Sequence, residues 1–275
     1  MKNLGTFSSI RHSLYFLLCL GCLGCASIGL NLFSDADDVK LGQQMAQEIR
    51  KNPKEYPVLQ NRPDVNEYVK TVGTKILSSP AITKRGIYHY QFEIIHDDKT
   101  INAFATPGGY VYVYTGLLKF VDNEATLAGV LGHEIAHAER RHATKRLTKY
   151  YGVELILGIA LGENPSQIQS IVANMFTNLA FLKNSRDDEA EADEYSIRYL
   201  RSTPYYPGAI KYFFEKIGNE GKSSGSGFER LLSTHPLPKD RIEHVDDLLK
   251  DPGIPQPSES NVFEKRYQNF RTTLP

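Results

Sequence analysis

Two histidines four residues apart enclose a glutamate in the run His133-Glu134-Ile135-Ala136-His137. On a helix, positions four apart share a face. Both imidazoles can then bind one zinc ion, while Glu134 beside them holds a water. A zinc ion lowers the pKa of such a water towards 7, and the carboxylate takes its proton. A tetrahedral zinc still needs a third protein donor. In the pattern H-E-x-x-H-x-x-G-x-x-H that donor is a later histidine, but here the Gly slot is Arg140 and the final His slot is Ala143. The other source is a carboxylate on a second helix. Ser185-Arg186-Asp187-Asp188-Glu189-Ala190-Glu191-Ala192-Asp193 supplies one. Glu189 and Asp193 are four apart, so Glu189 can reach the metal while Asp193 accepts the second N–H of a ligand histidine. Glu191, two residues from Glu189, points elsewhere and reads as a solvent or structural carboxylate. Small Ala190 and Ala192 let the second helix approach the first closely.

The elements that must position these groups are legible in outline. The apolar or small run Ala125 to Gly132 suits a buried helix, capped by Asp122 or Asn123 and free of proline to about Tyr150. Further helical patterns cover Asp35 to Arg50, Val65 to Leu77, Pro165 to Leu182 and Ser185 to Leu200. Tyr88 to Ile95 is aromatic, β-branched and roughly alternating, which predicts a strand. Asn102-Ala103-Phe104-Ala105 is a second short strand, and Pro107-Gly108-Gly109 a turn. Tyr110 to Thr115 is a third strand, with Val111 and Val113 on one side and tyrosines on the other. Gly218 to Gly227 reads as a flexible loop. The expected fold is α+β, mainly helical, with a small β-sheet beside the active-site helix.

The first 35 residues differ from the rest. Lys2 and Arg11 are the only charges before Asp35, and Leu14 to Leu32 is apolar or small almost throughout. A basic start, an apolar run and then small residues is the order of a secretory signal. The run Leu23-Gly24-Cys25-Ala26-Ser27 is similar to a bacterial lipoprotein signal, whose cleavage leaves a lipid-modified cysteine first. Cys25 is the expected lipidation site and Cys22 the alternative; plain secretion and an uncleaved anchor are the other readings. All place the body of the protein outside the cytoplasm. The expected organisation is a signal peptide over 1–25, a catalytic domain over 35–250 and a Pro- and Ser-rich surface arm over 251–275.

Composition narrows the function classes. Lys+Arg and Asp+Glu both total 32 in 275 residues, so no basic excess points to nucleic acid. The only cysteines are Cys19, Cys22 and Cys25, which excludes a disulfide framework or a cysteine zinc finger for the folded part. After residue 35 the longest apolar run, Val153 to Leu161, is far too short to span a bilayer.

Four motifs taken together resemble one known family. These are HEIAH, then SRDDEAEAD some fifty residues on, the stretch Asn102 to Gly109 with Tyr110 to Leu117, and Ser233-Thr234-His235-Pro236-Leu237-Pro238 followed by Arg241. In order and spacing they resemble the gluzincin metallopeptidases that include the HtpX and CAAX prenyl proteases, within the soluble periplasmic branch that serves outer-membrane quality control. The resemblance implies a zincin-like fold and one Zn2+ per chain, held by His133, His137 and Glu189. It makes Glu134 the catalytic carboxylate and places Asp193, His235 and Arg241 at the site. His235 either donates to the tetrahedral oxyanion or caps the zinc in a resting state, and Arg241 stabilises negative charge. Asn102, Ala103, Phe104 and Ala105 offer an edge to which a substrate adds as a strand. The implied substrates are unfolded or misassembled envelope proteins, with the membrane reached through the lipid anchor and no nucleic-acid partner. The rival from another class is a zinc-binding periplasmic chaperone that does not cut.

Overall fold

The computed structural model describes residues 30–160, 183–220, 227–236 and 240–275. The signal segment with Cys25 and Cys22, and the helical pattern Pro165 to Leu182, lie outside the described residues, as do positions 221–226 of the glycine-rich stretch. Among the described residues no helix is long and apolar enough to cross a membrane.

Helix α1 (Asp35–Lys51) starts at Ser34, whose side chain accepts from the Asp37 amide while Asp37 reaches back to the Ser34 amide. Three acids occupy its first turn and Arg50 and Lys51 its last, matching the helix dipole. Helix α2 (Pro63–Leu77) buries Val65, Val69, Val72 and Ile76, the face its spacing predicts. Strands β1 (Gln91–Ile95), β2 (Ala103–Thr106) and β3 (Tyr110–Tyr114) form one sheet in the order β1-β3-β2. β1 runs parallel to β3 and β2 antiparallel to it, with Ala105 opposite Val111. β3 is buried on both faces. Val111 and Val113 join the main core with α2, whereas Tyr110, Tyr112 and Tyr114 pack with Ala46 and Ile49 of α1. The Pro107–Gly109 turn sits against α1. A side chain on Gly108, which is at φ 75, would meet the Asp38 carbonyl oxygen at 2.9 Å, so this turn requires glycine. β2 is left as an edge strand.

After the short helix α3 (Thr115–Phe120), Asn123 caps helix α4 (Glu124–Glu139), which carries the His-Glu-His motif and is buried along its whole length. The sequence suggests one helix to about Tyr150; instead the chain breaks after α4 and restarts as α5 (His142–Ala160). Arg141 takes a left-handed conformation, φ 61. Its guanidinium is drawn to Asp38 of α1 and to the Phe33 carbonyl, tertiary contacts that outweigh local helix propensity.

Helix α6 (Arg186–Leu200) brings the acidic motif against α4. The approach is closer than alanines alone explain. A side chain on Gly132 would meet Ser196 Oγ at 2.8 Å, and Ser196 itself donates to the Gly129 carbonyl oxygen. Helices α7 (Ile210–Glu220), α8 (Glu229–Thr234) and α9 (Asp240–Leu248) complete the wall on that side.

The segment after Pro252 departs from the expected surface arm. It forms α10 (Glu259–Val262) and α11 (Glu264–Arg271), and Tyr267 and Phe270 enter the main core. Phe270 stacks on Tyr68 with ring centroids 3.7 Å apart, and Tyr267 donates to the Leu118 carbonyl oxygen. Arg266 binds both oxygens of Glu124, a buried carboxylate in the first turn of α4 that also accepts from the Tyr68 and Tyr205 hydroxyls. Removing one partner of such a carboxylate leaves part of its charge uncompensated. Arg266→Ala is expected to lower unfolding stability by about 2 kcal/mol, since both tyrosines remain and the arginine is partly solvated. Equilibrium urea denaturation reads this, and an unchanged midpoint contradicts a structural role for the C-terminal helix.

Candidate metal centre

Helix α4 presents His133 and His137 on one face, and their Nε2 atoms lie 3.0 Å apart. Glu189 reaches them from α6, with Oε2 3.5 Å from His133 Nε2 and Oε1 3.3 Å from His137 Nε2. His235 enters from the end of α8, its Nδ1 3.0 Å from Glu189 Oε1. One donor atom from each of His133, His137, Glu189 and His235 lies within 4.8 Å of every other, and all four residues are buried.

These donors suit a small cation. Zinc–nitrogen and zinc–oxygen bonds of about 2.0–2.2 Å in tetrahedral array put neighbouring donors roughly 3.3–3.5 Å apart. The two Nε2 atoms and the Glu189 oxygens span 3.0 to 3.5 Å. The remaining ring nitrogens are turned outward. His133 Nδ1 lies 2.8 Å from Asp193 Oδ1. His137 Nδ1 lies 2.7 Å from His142 Nδ1, and His142 Nε2 lies 2.8 Å from Glu191 Oε2. A donor set of two imidazoles and a carboxylate, with no sulfur, fits one Zn2+.

Electrostatics favour a cation at the same point. Burial alone lowers the pKa of His133, but the Asp193 and Glu189 carboxylates outweigh it and raise the imidazole to about 9. Those carboxylates favour any positive charge at that nitrogen, proton or metal ion. Burial pushes the carboxyl groups of Glu189 and Asp193 up. His235 and the facing imidazoles hold Glu189 well below the usual range, and Arg241 with His133 holds Asp193 below it.

Arg241 turns its guanidinium to the two carboxylates of α6. Its Nε and Nη2 bind Asp193 at 2.8 and 2.7 Å, and Nη1 binds Glu189 at 2.6 Å. It neutralises the two carboxylates that face the histidines. Glu134, one residue along α4 from His133, points to the other side of the donors. Oε1 lies 3.6 Å from His235 Nε2, and Oε2 is buried with no hydrogen-bond partner. Burial raises its pKa above the usual carboxylate value, more than the nearby His235 and His133 lower it.

A cleft lies beside Glu134 and His137. Asn102, just before edge strand β2, and Phe104 and Ala105 within it line this cleft; Ala103 borders a smaller cavity with His133 and Arg241. Asn102 Oδ1 is buried and unpartnered.

Two features escape sequence reading. Asn184, just before the cap of α6, donates through Nδ2 to Glu189 Oε1 at 2.6 Å and lies 3.3 Å from both His137 Nε2 and His235 Nδ1. A lone asparagine upstream of an acidic motif gives no signal for this. Glu191 and His142 lie in line behind His137; His142 is five residues from His137, an offset that shares no helical face, and is brought there by the break at Arg141.

The model of peptidase family M48 matches residues 63–249. The beta-barrel assembly-enhancing protease of Escherichia coli strain K12 is 27% identical over 76% of this chain, and the chain spans 43% of that relative's length. The mitochondrial metalloendopeptidase OMA1 of Arabidopsis thaliana is 32% identical over 65% of the chain and 33% of its own length. Metalloprotease LoiP of Escherichia coli is 33% identical over 57% of the chain and 62% of its own length.

Proposed function

The chain belongs to peptidase family M48 and carries a zinc metallopeptidase domain, and from that premise we propose that it is a zinc-dependent endopeptidase acting on unfolded or misassembled proteins of the bacterial cell envelope. The observation that carries the reading is Glu134: a buried carboxylate with one oxygen, Oε2, unpartnered, beside a zinc donor set and at the wall of the cleft. A zinc-binding chaperone has no use for that group.

His133, His137 and Glu189 would hold the ion. When bound, zinc polarises a carbonyl and acidifies water. Glu134 accepts the proton from the attacking water at a carboxylate oxygen and delivers it to the leaving amine nitrogen. The extended substrate adds along the β2 edge, where main-chain groups recognise backbone rather than sequence, which suits unfolded chains. Asn102 offers its unpartnered Oδ1 to a substrate amide. Hydrolysis of casein by the wild-type protein, abolished by a chelator and restored by zinc, is the expected result; chelator-resistant or absent cleavage contradicts the reading.

The relatives named for beta-barrel assembly support an envelope setting, as does the lipoprotein-like sequence around Cys25. On this reading Cys25 carries the lipid that ties the protease to the outer membrane, so Cys25→Ser abolishes fatty-acid labelling. Continued labelling in that variant moves the site to Cys22.

His235 acts as a resting-state cap. It is extended before Pro236, as that proline favours, and it lies among the donors at the wall of the cleft. A cap must leave for substrate to enter. His235→Ala is therefore expected to cut an unfolded model protein several-fold faster than wild type in a steady-state assay. A rate falling roughly 100-fold would instead make it an oxyanion donor, and no change would assign it to structure alone.

A further inference from the structure

Two side chains behind the zinc donors take no part in this hydrolysis, His142 and Glu191. Their arrangement settles a question that the donor set leaves open. A histidine binds metal through a nitrogen lone pair, so its hydrogen must sit on the other nitrogen. For His133 the answer is direct, because Nδ1 faces the Asp193 carboxylate at 2.8 Å. For His137 the neighbour is another imidazole, with Nδ1 to Nδ1 at 2.7 Å. Either ring can supply the single hydrogen between them.

Glu191 decides it. Its Oε1 accepts from Arg140 Nε at 2.8 Å, which orients Oε2 towards His142 Nε2, also at 2.8 Å. A carboxylate only accepts, so His142 Nε2 carries the hydrogen. The neutral His142 ring then has its lone pair at Nδ1, and the hydrogen in the 2.7 Å contact belongs to His137 Nδ1. That leaves the His137 lone pair at Nε2, the atom 3.3 Å from Glu189 Oε1 and 3.0 Å from His133 Nε2. The reverse order would place a hydrogen on that nitrogen and close it to metal. The His142 side chain is fully buried, so water does not compete for either nitrogen. Other charges face the pair at longer range: Asp188 Oδ1 is 3.8 Å from His142 Nε2, and Lys145 Nζ is 3.9 Å from Glu191 Oε2. The turn at Arg141 is what folds His142 back beside His137.

We infer that Glu191 and His142 are positioning residues that act through His137, fixing its metal-binding tautomer and ring orientation by a carboxylate–imidazole–imidazole line. The inference rests on the zinc-peptidase reading. The two donor histidines are thus supported differently, one by a carboxylate directly and the other through a relay whose outer end is partly open to solvent.

Zinc affinity of the full chain, measured by chelator competition, tests it. Loss of an outer partner costs roughly 10–100-fold in metal affinity, and His142→Phe, which fills the space but cannot accept, should show that loss. His142→Gln should stay within about threefold of wild type, because an amide can accept from His137 and donate to Glu191. Glu191→Ala should weaken binding by about tenfold. The visible absorption of the cobalt-substituted protein should shift in the Phe and Ala variants and not in the Gln variant. Wild-type affinity in a folded His142→Phe or Glu191→Ala overturns the relay. If His142→Phe does not fold, Glu191→Ala decides alone, since that side chain is 30% exposed. Failure of the zinc reading is a separate result, in which the wild-type protein binds no zinc at all.

Discussion

Glu134→Gln is expected to keep its zinc and its fold and to lose peptide hydrolysis by roughly 10³-fold or more, within the range that a positioned acid–base group supplies. The substitution is nearly isosteric and replaces a carboxylate oxygen by an amide nitrogen at a buried site. Glu134 Oε2 has no partner to lose, and the shorter-range neighbours of the donor histidines are Asp193, His142 and Glu189 rather than Glu134. Metal content and thermal stability should therefore stay near wild type, while the amide cannot take the proton from water. Burial, which raises the Glu134 pKa, makes the carboxylate a better base than an exposed one. The measurement is initial rate on an unfolded protein at saturating zinc, with zinc content determined on the same sample. A variant that retains zinc and a tenth or more of the wild-type rate would remove Glu134 from the chemistry.

Much of this site was legible because its donors obey local spacing. Two histidines and two acids, each pair four residues apart on a helix, point the same way whatever surrounds them. The alternation of β3 was equally local, and its valines and tyrosines divide between two cores as the pattern requires. What sequence did not carry was set by contacts distant along the chain. The long helix expected to reach Tyr150 breaks because Arg141 is held by Asp38 and Phe33, over a hundred residues earlier. The tail after Pro252 reads as patternless, since its buried positions Tyr267 and Phe270 are isolated among charges. Its anchor, Arg266 on Glu124, spans 142 residues. Arg241 reads as an anion-stabilising residue from its place in a motif, yet its geometry commits all three donor nitrogens to the two carboxylates of α6. Asn184 has no motif to reveal it. Glu191 reads as a solvent or structural carboxylate because it leaves the Glu189–Asp193 face, and off that face it meets His142.

Glu189→Ala should lose zinc outright at concentrations that saturate the wild-type protein, and with it all hydrolysis. Its two oxygens face one donor histidine each, and it is the anion around which Asn184, His235 and Arg241 converge. Removing it leaves two imidazoles with no carboxylate between them and a buried Arg241 that has lost one of its two anions. That loss should far exceed the roughly 10–100-fold expected for an outer partner such as Glu191. Chelator competition on Glu189→Ala and Glu191→Ala side by side separates them. The comparison matters because the two carboxylates are two residues apart on one helix and carry the same charge. Bulk electrostatics alone would make their losses similar, whereas ligation makes them differ by an order of magnitude or more. Arg241 sharpens the expectation, because once Glu189 is gone its Nη1 keeps only the Pro236 carbonyl oxygen, at 3.2 Å. The apoprotein of Glu189→Ala should thus also unfold at lower urea than that of Glu191→Ala, whose side chain is partly solvated and whose loss leaves Arg140 free to hydrate. Equal zinc affinity in the two variants would reject Glu189 as the third donor and leave the metal to the histidines.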